Sequence, residues 1–298
     1  MPLENFIIAI YCIVCDAMKT ALKNQTLRRR GFPPALSDEE VIAIEIVGSF
    51  LGFEQDKALH QYFCEHWKTF FPKLGERSIF ARQAANLWHV KKLIHKELVT
   101  RLDARESNLF LADGFPLPVC KFARANFSKQ FKWEASFGYC ATKKETYFGF
   151  KGLVLTNAMG VVIDVGLAQA NVDEREALLD LDLRGLRGAL LADKGFISPA
   201  LRQSLYQGGL NLQTPVRSNM KETRPKAYLS CLLNARRLVE TVIGQLSERF
   251  SIEKSKARDL WHLTGRIYRK VLAHTACILL NLAQGNPPLQ FERLLATA

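Results

Sequence analysis

The chain has 298 residues, 48% hydrophobic and 23% charged, which excludes a disordered, collagenous or disulfide-scaffold protein and leaves room for a small module beside a larger domain. Its 41 Lys and Arg against 29 Asp and Glu leave a net charge of +12, which points to a polyanionic partner, most often nucleic acid. The 7 cysteines are odd in number and scattered, as in a reduced cytosolic protein, and Cys12 and Cys15 lack the second pair that a zinc site needs.

In chain order, the apolar run 6–15 is preceded by Glu4 and followed by Asp16, so it reads as a buried helix and not as a signal peptide. No stretch reaches the roughly 18 to 20 uninterrupted apolar residues of a membrane span, so a soluble, cytoplasmic protein without a membrane partner is expected. Arg28-Arg29-Arg30 beside Gly31-Phe32-Pro33-Pro34 reads as a loop. Ser37-Asp-Glu-Glu40 has the form of a capping box and predicts a helix over 38–51. Gly52 ends it, Asp56 opens a second helix through 66, and a third runs from about 76 to 98. The expected result is an all-helical module over residues 1–104 that reads DNA or mediates dimerisation.

After residue 107 the pattern changes. Short apolar runs at 109–112, 148–156 and 161–167 predict three strands, the last two joined at Asn157-Ala-Met-Gly160. A helix from Asn171 or Asp173, a strand at 189–192, a helix from Ser198 and a strand at 210–214 follow. The order is β-β-β-α-β-α-β, continued by long helices over 226–250 and 265–282. The fold class is therefore α/β, with a catalytic domain over 105–285 and a tail over 286–298.

Two of the predicted strands end alike, in Leu109-Phe-Leu-Ala-Asp113 and Leu190-Leu-Ala-Asp193. A strand holds such a carboxylate rigidly at a sheet edge, where a ligand can reach it. If the strands are neighbours, Asp113 and Asp193 converge, and two close carboxylates call for a cation such as Mg²⁺. A pair of ions needs a third acid. Glu240, in Arg236-Arg-Leu-Val-Glu240, is the candidate, with an ion pair to Arg236 four positions earlier as its plain structural alternative.

With these residues in view, the chain resembles the bacterial insertion-sequence transposases with an RNase H-like DDE domain, and most closely the IS-nine-eighty-two group. The resemblance spans nearly the whole chain. It is carried by Asp113-Gly-Phe-Pro-Leu-Pro-Val-Cys-Lys121, Gly138-Tyr-Cys-Ala-Thr-Lys143-Lys144-Glu-Thr-Tyr-Phe-Gly-Phe-Lys151, Ala170-Asn-Val-Asp-Glu-Arg-Glu176, Ala192-Asp-Lys-Gly-Phe-Ile197 and Arg237-Leu-Val-Glu240. It implies an RNase H-like mixed sheet, and Asp113, Asp193 and Glu240 as ligands of two Mg²⁺ or Mn²⁺ ions. It further implies metal-dependent cleavage and strand transfer of double-stranded DNA at element ends, and a homodimer that pairs two ends. Leu233 and Ser247 stand where related transposases often carry a tyrosine and a lysine.

DNA contacts are expected from Lys121, Arg124, Lys129 and Lys132, which alternate with Phe122, Phe127, Phe131 and Trp133, so that cations hold phosphates while rings stack on unpaired bases. Lys143, Lys144, Arg217, Lys221, Arg236 and Arg237 complete the candidate DNA-binding set. Asp164 and Asp173 are alternative carboxylates. His60, Cys64 and His66 match no zinc spacing, and His274 and Cys277 read as core. No G-x-x-x-x-G-K-[ST] motif is present, so no nucleotide cofactor is expected. Two rival functions are a nuclease of the same fold that cuts without joining and a transposase-derived DNA-binding protein without catalysis.

Overall fold

The computed structural model describes residues 1–23, 25–28, 30–141, 144–254 and 256–295. Its helices in chain order are α1 (Leu3–Leu22), α2 (Asp38–Phe50), α3 (Asp56–His66), α4 (Arg77–Asn86), α5 (Trp88–Arg101), α6 (Glu174–Leu179), α7 (Pro199–Gln207), α8 (Lys226–Glu248) and α9 (Leu260–Ala283). The strands are β1 (Leu109–Pro118), β2 (Ser136–Cys140), β3 (Glu145–Asn157), β4 (Val162–Gln169), β5 (Gly188–Leu191) and β6 (Leu210–Gln213). Two units result, one of Met1–Leu102 with Leu246–Ala298, the other of Asp103–Gln245.

In the helical unit, α2 begins where the capping box stands: the Ser37 hydroxyl accepts from Glu40 N at 3.2 Å, and Ser37 N donates to the Glu40 carboxylate at 2.7 Å. Past that cap α2 is buried nearly all round, as expected for a helix with no polar face. The single helix expected over 76–98 is two, parted at Leu87, whose backbone (φ −87°, ψ 9°) leaves the helical region.

The helix expected to complete the catalytic domain, α9, instead packs on α2 and α5 in the helical unit. Its Val271, Leu272, Ala273, Ala276, Cys277 and Ile278 are fully buried, and His274 with them, so apolar burial decides its place. Arg269 on the same helix reaches inward, with Nη1 donating to Asp56 Oδ1 at 2.8 Å and lying 3.7 Å from Glu45. Lys91 Nζ donates to both Glu45 oxygens, at 3.0 and 2.7 Å, and to Ala84 O at 2.9 Å. A charged network thus lies at the centre of an apolar bundle. Burial pushes Asp56 up, but Arg269 and Arg266 outweigh it and hold the carboxyl at about 2.

By length and composition, α1 is long and apolar enough to cross a membrane. Glu4, Asp16 and Lys19 fall within the helix, so it holds no uninterrupted apolar run of that length, contrary to the expectation that no segment is suited to a span. Its Phe6, Ile7, Ile10, Val14, Ala17 and Met18 are buried, and it packs on α2 and α5.

The second unit is built on one mixed sheet in the order β2-β3-β1-β5-β6, with β4 also paired to β3. β1 runs antiparallel to β3 and parallel to β5, and β5 runs parallel to β6. The strand expected at 109–112 continues to Pro118 because its antiparallel pairing with β3 continues, through Asp113↔Val154 to Pro118↔Gly149. Gly152 makes room there: a Cβ at that position would stand 2.4 Å from the Phe115 ring. β2 is a strand that apolar periodicity did not predict, since Phe137 and Tyr139 point to solvent.

Candidate active site

β1 and β5 are adjacent and parallel, with Leu111 opposite Leu191. Continued by two residues, that register sets Asp113 level with Asp193. Asp113 is not at a strand end, as expected from the sequence, but within β1, just past the last residue that β5 pairs. Asp193 follows β5 and caps a short 3-10 turn, Lys194–Phe196. Each aspartate is oriented by the backbone that follows it: Gly114 N donates to Asp113 Oδ1 at 2.8 Å, and Lys194 N donates to Asp193 Oδ1 at 2.7 Å.

Both line one cavity of about 680 Å³, together with Glu174, Lys151, Tyr147 and Arg217. Desolvation raises the Asp113 carboxyl to about 6, helped by the charges of Asp193 and Glu174, while the Gly114 N–H and Arg236 oppose the rise. Arg236 Nη1 lies 3.3 Å from Asp193 Oδ1. The ion pair weighed for Glu240 is thus made by Arg236 with Asp193.

Glu240, one turn further along α8, is exposed and is not part of the cavity lining. The third acid that the structure brings to the two aspartates is Glu174, the first residue of α6. The sequence signal for it lies in Asn171-Val-Asp-Glu174, where Asp173 is the helix cap and Glu174 the next residue. Asp173 itself pairs with Arg175, and Asp164 accepts from Asp182 N at 2.8 Å, so neither of the alternative carboxylates lines the cavity.

Among the described residues, no three of His, Cys, Asp and Glu stand close enough together to enclose a metal ion. The donor chemistry nonetheless fits a hard divalent cation, since the acids of the cavity offer only oxygen. Gly114 and Gly195 beside them leave space that a Cβ would fill.

Of the candidate DNA contacts, Lys121, Arg124, Lys129, Lys132, Lys144, Arg217, Lys221 and Arg237 are exposed, Arg236 is half-buried, and Lys143 lies outside the described residues. Phe127 and Trp133 are 87% and 85% exposed, whereas Phe131 turns inward and packs on Phe150 with ring centroids 5.3 Å apart. The alternation of cations and rings therefore presents Phe122, Phe127 and Trp133 to solvent and uses Phe131 as core.

The adjacent strands β1 and β5 thus lead Asp113 and Asp193 into one acid-lined cavity that Lys151, Lys194 and Arg217 also line. Residues 103–260, more than half of the chain, match the family model described as a transposase DDE domain, and the chain belongs to that family. It is thereby placed among transposases, enzymes that act on DNA. The chain is also similar to a piggyBac transposase solved by cryo-electron microscopy in a synaptic complex with hairpin DNA. The two are 11% identical with a TM-score of 0.49, over 95% of this chain and 76% of that one. No curated protein matches the sequence.

Proposed function

We propose that this chain cuts DNA at the ends of an insertion sequence and joins those ends to a target, as a member of the IS-nine-eighty-two group with an RNase H-like catalytic domain. The observation that carries the reading is the level placement of Asp113 and Asp193 in one cavity of a chain from a DDE transposase family. Asp113, Asp193 and Glu240 would hold two Mg²⁺ or Mn²⁺ ions. When bound, such ions neutralise charge on the scissile phosphate and stabilise both the attacking and the leaving oxygen.

The chain's own part is positioning. The backbone N–H groups of Gly114 and Lys194 fix the two aspartates, and the exposed cations at Lys121, Arg124, Lys129, Lys132 and Arg217 hold phosphates on either side of the cut. Hydrolysis breaks a phosphodiester and leaves a 3′-hydroxyl. That hydroxyl then attacks a target phosphodiester, forming one P–O bond as another breaks. Two copies of the chain would hold the paired ends. The reading requires Glu240 to take the place of Arg236 beside Asp193, a shift of α8 by about one turn, or ~5.4 Å.

The experiment is a cleavage and strand-transfer assay in Mg²⁺ or Mn²⁺ on DNA flanking the gene, comparing the wild type with Asp193→Asn. Cutting and joining by the wild type alone is the expected result. DNA binding without cleavage by either protein would mean a DNA-binding relative, and cleavage without joining of pre-cut ends would mean a nuclease.

Trp133 gives a separate prediction. Lys132 Nζ stands 5.3 Å from the centre of its ring, so stacking and charge act at one point. Trp133→Ala should weaken binding of single-stranded DNA by roughly tenfold, the value of one stacked base. Fluorescence anisotropy with a labelled oligonucleotide measures it, and unchanged affinity would rule out stacking at this ring.

A further inference from the structure

Glu174 lies against two glycines that follow the site's aspartates in the chain. A Cβ at Gly195 would stand 2.7 Å from its Oε2, and one at Gly114 would stand 3.4 Å from its Oε1. Gly114 directly follows Asp113, and Gly195 is two residues past Asp193. Oε2 of Glu174 therefore occupies the space that Gly195 leaves by having no side chain, and Oε1 lies at ordinary contact distance from the corresponding space at Gly114.

Lys151 Nζ lies 3.7 Å from Oε1, too far for a hydrogen bond, and is itself held by donation to Val172 O at 2.9 Å. Its charge balances Glu174 without saturating it. The lone pairs of that carboxylate stay available in a cavity whose other acids are Asp113 and Asp193.

We infer that Glu174 contributes a carboxylate to the divalent-cation site formed with Asp113 and Asp193. The inference rests on the reading of that cavity given above and names a residue outside the expected Asp113, Asp193 and Glu240 set. A glutamate reaches the position because α6 starts at it, capped by the Asp173 side chain, and because both neighbouring positions are glycine. Unlike Glu240, it already lines the cavity and needs no movement of α8; the three carboxylates do not enclose an ion as they stand and would close on one by turning their side chains.

The test is Mn²⁺ binding to the full chain without DNA, followed by electron paramagnetic resonance of the free ion, with circular dichroism to establish that each variant is folded. Glu174→Gln should weaken binding about tenfold or more, as loss of an ordered metal-site group does. Gly195→Ala keeps the charge but drives Oε2 from its place, and should weaken binding as well; it decides the matter if Glu174→Gln does not fold. Wild-type Mn²⁺ affinity in both variants, with Asp113→Asn weakened, would overturn the role of Glu174 and leave the cavity reading intact. Wild-type affinity in Asp113→Asn and Asp193→Asn as well would overturn the cavity reading itself.

Discussion

Replacing Asp113 by Asn should move two measurements in opposite directions, making the metal-free protein more stable at pH 8 while lowering cleavage by about 10³-fold or more. The stability gain follows from burial. Desolvation lifts the Asp113 carboxyl to about 6, and an acid whose folded value exceeds its unfolded one holds its proton more tightly when folded. The unfolded chain then binds fewer protons than the native one between about pH 4 and 6, so stability declines as pH rises through that window and the full cost remains above it. Asn has no charge to desolvate, and its gain should be about 3 kcal/mol at pH 8, shrinking towards zero near pH 4.

Urea unfolding in a chelator at the two pH values measures this. A variant no more stable than the wild type at pH 8 would show that Asp113 carries no desolvation cost. The loss of cleavage follows from the same charge, which a cation needs and the empty fold does not. Acidic residues kept in place at a cost to the metal-free fold are expected where their use lies in binding.

The second large effect lies in the helical unit. Lys91→Ala should destabilise it by about 3 to 5 kcal/mol, because Glu45 is then left charged and buried without its ammonium partner. Both side chains are nearly inaccessible, 1% for Lys91 and 4% for Glu45, and the nearest other cation, Arg269, stands 3.7 Å from Glu45. Desolvation already raises Glu45 and lowers Lys91 against their mutual attraction, so each depends on the other to stay ionised.

The double variant Glu45→Leu, Lys91→Met removes both charges and should recover most of the loss, since an apolar pair of similar volume often replaces a buried ion pair at little cost. Thermal unfolding separates the cases, with a fall of roughly 10 °C expected for the single variant and a much smaller one for the double. A single variant that melts with the wild type would show that Arg269 alone suffices for Glu45.

Much of the fold was legible in local chemistry. Ser37 and Glu40 announce α2 because a capping box satisfies two backbone N–H groups with side chains only three residues apart. The apolar runs before Asp113 and Asp193 identify two strands, because both are buried, while their pairing with each other is a fact of the fold. The cations and rings of residues 121–133 mark a charged surface, because side-chain chemistry is a property of the sequence alone.

Tertiary packing decided the rest. Asp113 lies within β1 because β3, distant in sequence, continues to pair past it. Phe131 turns inward where Phe127 and Trp133 do not, for lack of a Phe150 beside those rings. α9 joins the N-terminal helices because its buried Arg269 and apolar faces meet Glu45, Asp56, α2 and α5, none of them near it in sequence. Glu174 enters the cavity through glycines at 114 and 195, 60 residues before it and 21 after it. The sequence by itself determined which residue types are present, where helices begin and which strands are buried, since each depends on a few adjacent residues. Only the tertiary structure decided which acids meet, because that depends on register and clearance between segments far apart in the chain.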